Sequence, residues 1–83
     1  MSLHEQRMML RGQLEEAKAK QRSLRLRVEG NAQGVCRLLN TTLTAADDLR
    51  VDLAAAQMDE LQEAWAELTV INSQIDRLEK ELA

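Results

Sequence analysis

The chain has 83 residues with no proline, phenylalanine or tyrosine, a single tryptophan and a single cysteine, and 11 Lys/Arg against 14 Asp/Glu for a net charge of −3. That length holds at most one small domain, here taken as 1–83, and Cys36 alone excludes an intrachain disulfide framework. Ala, Leu, Glu, Gln and Arg dominate, all strong helix formers, so the expectation is an all-α fold of long helices rather than a compact mixed one.

The first half carries one heptad frame. Position d takes Leu3, Leu10, Ala17, Leu24, Asn31 and Leu38, and position a takes Arg7, Leu14, Gln21, Val28 and Val35. About five heptads of this kind predict a helix over about 3–39 with a coiled-coil seam. The polar entries at a and d set register or partner number at some cost in stability. Gly30 and Gly34 each cost roughly 1 kcal/mol against Ala inside a helix. Two readings of them stand side by side: close approach of another helix, or a kink near the turn.

Asn40-Thr41-Thr42-Leu43-Thr44 predicts a turn over about 40–44. Thr44 with Asp47 has capping-box spacing, which predicts a second helix over about 45–82. Its seam takes Ala54, Leu61, Leu68, Ile75 and Leu82 at one position and Ala64, Ile71 and Leu78 at the other. Leu49, Leu53, Met58 and Trp65 fall off that seam and broaden the apolar face near the turn.

The two halves differ in charge. Residues 1–42 hold eight Lys/Arg and four Asp/Glu, a balance of +4, and residues 43–83 hold three and ten, a balance of −7. A basic helix followed by an acidic one suits an antiparallel two-helix hairpin, a coiled coil with itself. A four-residue connection would set residues opposite each other when their numbers total about 84. Arg22, Arg25 and Arg27 would then lie beside Asp59, Glu60 and Glu63, with Leu24 near Leu61 and Leu14 near Leu68 and Ile71. The expected hairpin seam is Leu10, Leu14, Leu24, Val28, Leu61, Leu68, Ile71, Ile75 and Leu78.

Such a hairpin leaves Leu26, Leu39, Leu49, Leu53, Met58 and Trp65 wet. The expected cover is a second copy, giving a homodimeric four-helix bundle, with Leu49, Leu53, Met58 and Trp65 as the oligomer or partner patch. No basic-then-apolar leader and no 18-residue apolar run occurs, so a cytoplasmic protein without a membrane span is expected.

The chain is poor in catalytic chemistry. His4-Glu5 opens a zinc-helix pattern, but the second histidine's place is taken by Met8, and one His with one Cys closes no metal site. His4 and Cys36 lie about 48 Å apart on one helix, out of reach of each other. No enzyme activity, cofactor or metal is therefore expected. Cys36, next to the seam residue Val35, is read as a small buried hydrophobe. Asn40-Thr41-Thr42 matches a glycosylation acceptor and is read as loop composition. Lys18, Lys20, Arg22, Arg25 and Arg27 form a cationic stretch without an intervening acid, the candidate contact for nucleic acid. Its lack of stacking aromatics and the acidic second helix favour an interhelical charge match instead.

In size and style the chain resembles the small helical-hairpin accessory proteins of bacteria and their phages, a likeness of architecture that assigns no residue roles. The function expected is a non-catalytic protein–protein interaction or scaffolding module that pairs with itself and with a larger protein. The alternative is a small nucleic-acid-associated regulator acting through the cationic stretch.

Overall fold

A computed structural model describes residues 2–83. Helix α1 spans Leu3–Leu38 and helix α2 spans Val51–Leu82, and the two pack side by side as an all-α antiparallel hairpin. The hairpin is a rod, 65 × 16 × 15 Å, with a radius of gyration of 18.8 Å. A compact chain of this length would have a radius near 12 Å.

α1 begins at Ser2, whose Oγ accepts from the Glu5 N–H at 3.2 Å. This satisfies one of the amide donors that a helix start leaves without partners. α1 then runs unbroken through Gly30 and Gly34, so neither glycine ends it. Gly34 serves close approach instead. A Cβ there would collide with the side-chain amide of Gln57 on α2, whereas one at Gly30 would meet open space.

The connection is longer than the four residues expected, because α2 starts at Val51 and not near 45. The cause lies at Asn40. Its Oδ1 accepts from the Thr42 N–H at 2.9 Å and from the Thr42 hydroxyl, and its carbonyl accepts from the amides of Leu43 and Thr44. The Thr44 amide that a capping box would need is thus already engaged. Ala46–Asp48 form only a single 3-10 turn with no side-chain cap, flanked by extended Ala45 and Leu49.

The longer connection shifts the register. Arg7 Nη2 donates to the Leu82 carbonyl at 3.0 Å, Gln21 Nε2 to Asn72 Oδ1 at 2.7 Å, and Gln57 Nε2 to Asn31 Oδ1 at 3.3 Å. With the Arg27–Glu67 ion pair at 3.6 Å, partners across the hairpin have numbers totalling 88 to 94, not about 84. Leu24 therefore sits beside Ile71 rather than Leu61, and Leu14 moves toward Ile75 and Leu78. Arg22 and Arg25 form no ion pair with Asp59, Glu60 or Glu63. Arg27 alone of the three pairs across the hairpin, and it does so with Glu67.

The core is thin and uneven. Among the described residues seven are buried: Ala17, Leu24, Ala54, Ala64, Ile71, Ile75 and Leu78. Five of them cluster toward the open end, where Leu10, Leu14 and Leu68 pack against them. Toward the turn the seam holds the buried Ala54 and Ala64, the half-buried Val28, Val35, Leu38 and Leu61, and the Asn31–Gln57 hydrogen bond.

Candidate interaction surfaces

The seam has two edges, marked by the Gln21–Asn72 hydrogen bond on one side and the Arg27–Glu67 pair on the other. Residues seven apart share a row on a helix in a coiled coil. On the first edge α2 therefore presents Val51, Met58, Trp65 and Asn72, level with Leu39, Ala32, Arg25 and Lys18 of α1. The exposed apolar members are large: Val51 is 60% exposed, Met58 42% and Trp65 61%.

The residues expected to form one patch do not stay together. Met58 and Trp65 share the first edge. Leu53 falls in the row of Glu60 and Glu67 on the second edge, and Leu49 lies half-buried in the connection before α2. Val51 lies outside the expected patch but belongs with Met58 and Trp65. The spacing Val51, Met58, Trp65 was the available signal.

The second edge carries two shallow grooves. One, near the turn, is lined by Gly30, Gly34, Arg37, Leu53, Ala56 and Glu60 among others. The other, at mid-length, is lined by Lys20, Leu24, Glu67, Val70, Ile71 and Gln74 among others. The Arg27–Glu67 pair spans the seam between them.

The cationic stretch does not form one surface. At 3.6 residues per turn, Lys18, Arg22 and Arg25 project to the first edge, and Lys20 and Arg27 to the second, nearly half a turn of the helix away. A phosphate backbone following either edge meets two or three cations, and no aromatic ring interleaves them. Among the described residues the ion pairs are Arg27–Glu67 across the seam and Arg50–Asp52 at the start of α2.

Arg50 and Asp52 make a two-point contact, with Arg50 Nε and Nη2 donating to the two carboxylate oxygens at 3.1 and 2.8 Å. The Arg50 hydrogen bonds, helped by the Leu53 N–H at the helix start, hold the Asp52 carboxyl down at about 2. The same contact pushes the Arg50 guanidinium further up. Both groups are exposed, so the pair orders the first turn of α2 and adds little to the fold.

Cys36 is exposed rather than buried, because it points away from the seam filled by Val35 and Leu38. Among the described residues no three His, Cys, Asp or Glu side chains gather as a metal site. No helix among them is long and apolar enough to cross a membrane. No protein-family model matches the chain, and comparison with curated proteins and with solved structures likewise finds no match.

Proposed function

We propose that this chain is a non-catalytic protein–protein interaction and scaffolding module of the cytoplasm. It pairs with a second copy of itself into a four-helix bundle and offers its remaining helix faces to a larger protein. The observation that carries this reading is the surplus of surface joined to the Val51–Met58–Trp65 row. The hairpin exposes 6253 Å², whereas a compact monomer of its mass exposes roughly 5,000 Å². The surplus is comparable to the roughly 800 Å² that each partner gives to a standard interface. Apolar rows of this kind on a small protein mark association surfaces.

Light scattering coupled to gel filtration tests it. The expected mass is twice that of the 9.4 kDa chain, at low and at high salt alike. Trp65→Glu places a charge in the row and is expected to return the protein to the mass of one chain. A wild-type mass of one chain, or a dimer indifferent to Trp65→Glu, refutes the assignment.

A further inference from the structure

Building on that self-pairing, we propose that the second copy packs along the Val51–Met58–Trp65 edge about a two-fold axis parallel to the rod, with both turns at the same end. Two arrangements of a symmetric pair of rods are available on this edge. With the axis along the rod, each α1 lies against the partner's α2 at an unchanged level. With the axis across the rod, the turns point to opposite ends, and α1 lies on the partner's α1 and α2 on its α2.

Charge separates the two. α1 carries eight Lys/Arg and four Asp/Glu, a balance of +4, and α2 carries two and eight, a balance of −6. Turns at opposite ends would lay basic on basic and acidic on acidic over the full length. Turns at the same end give every basic helix two acidic neighbours.

Side-chain order along the edge agrees. Residues face across the new contact when their numbers total about 90, the same levels that the hairpin's own hydrogen bonds set. Near the turn, Leu39 and Ala32 then face the partner's Val51 and the partner's Met58, apolar on apolar. Further along, Arg25 lies over the partner's Trp65, a cation on an indole face. Toward the open end, Arg11 meets the partner's Glu79. Neither Arg11 nor Glu79 has an ion-pair partner within its own hairpin among the described residues. Reversing the second rod instead moves Met58 and Trp65 against polar positions of the open end and sets Lys18 against the partner's Arg25.

Disulfide trapping tests the arrangement with the native Cys36, which is exposed at the level of Ala55. In Ala55→Cys, oxidation by copper phenanthroline is expected to move most of the chain to a dimer band on a non-reducing gel, reversed by dithiothreitol. In Met8→Cys, whose new thiol approaches the partner's Cys36 only when the turns lie at opposite ends, the chain is expected to stay monomeric on the gel. Cross-linking of Met8→Cys, or of neither variant, in a protein that light scattering shows to be a dimer overturns the arrangement alone. A wild-type mass of one chain overturns the self-pairing on which it rests.

Discussion

Leu24 and Leu26 are two residues apart on one helix and differ sharply in burial: Leu24 is 3% exposed and Leu26 70%. Truncating each to alanine therefore isolates what the seam contributes. Leu24→Ala removes about three buried methylene equivalents, worth about 0.8 kcal/mol each in transfer from water. A cavity contribution adds to this, but a seam between two helices is open to collapse, which keeps the total near the low end of the 2–5 kcal/mol range. A loss of about 2.5 kcal/mol is a large share of the roughly 4–12 kcal/mol that a chain of this size has in hand. It should lower Tm by about 10–20 °C. Leu26→Ala should change stability by no more than about 0.5 kcal/mol. The assay is thermal unfolding followed by circular dichroism at 222 nm, with both variants at one protein concentration, because association raises Tm with concentration. Equal shifts for the two variants, or a larger one for Leu26→Ala, would refute the placement of the seam.

The glycines give a second contrast. Gly30→Ala should gain about 1 kcal/mol of helix propensity and raise Tm by several degrees, because its Cβ enters open space. Gly34→Ala should gain clearly less, since it displaces the Gln57 amide and its hydrogen bond to Asn31, and a larger gain there than at Gly30 would contradict the close approach. Asp52 titrates at about 2 in the folded chain against 3.8 ordinarily. A folded value below the unfolded one means that the pair's contribution is complete above pH 3.8 and fades as pH falls through about 2. Carboxyl NMR titration of Arg50→Ala should show the Asp52 midpoint climbing toward its ordinary value, and an unmoved midpoint would remove Arg50 as the main cause.

The hairpin was legible because its seam is periodic. Leu10, Leu14, Val28, Leu61 and Leu68 are half-buried, and Leu24, Ile71, Ile75 and Leu78 are buried, along a seven-residue repeat that one look at spacing exposes. The connection was not legible, because two local signals competed for Thr44. Its capping-box spacing with Asp47 reads as a helix start, while the turn built on Asn40 takes its amide for another purpose. Nothing in the residue types says which hydrogen bond forms. From that one ambiguity follow the late start of α2, the shift in register and the failure of the expected ion pairs at Arg22 and Arg25. The start of α1 was equally readable: Ser2-Leu3-His4-Glu5 has capping-box spacing just at the first seam leucine, and the Ser2 hydroxyl accepts from the Glu5 amide. The off-seam apolar residues Met58 and Trp65 are plain from heptad position. That Leu53 sits on the opposite edge depends on angle around the helix, which a count of apolar residues does not resolve.

The unequal filling of the seam gives the rod one stiff end and one soft end. Where Leu24, Ile71, Ile75 and Leu78 interlock, opening the helices exposes most of the buried apolar surface at once, so that half behaves as a single cooperative unit. In the turn-proximal half the only fully buried residues are Ala54 and Ala64, beside half-buried Val28, Val35, Leu38 and Leu61, so separation there exposes less buried apolar surface. The large exposed side chains Val51 and Met58 stand on that compliant half, and Trp65 stands at its border, level with Arg25, one residue on from Leu24. The hairpin is thus clamped toward its open end and held more loosely toward the turn, where the spacing of its two helices is easier to change.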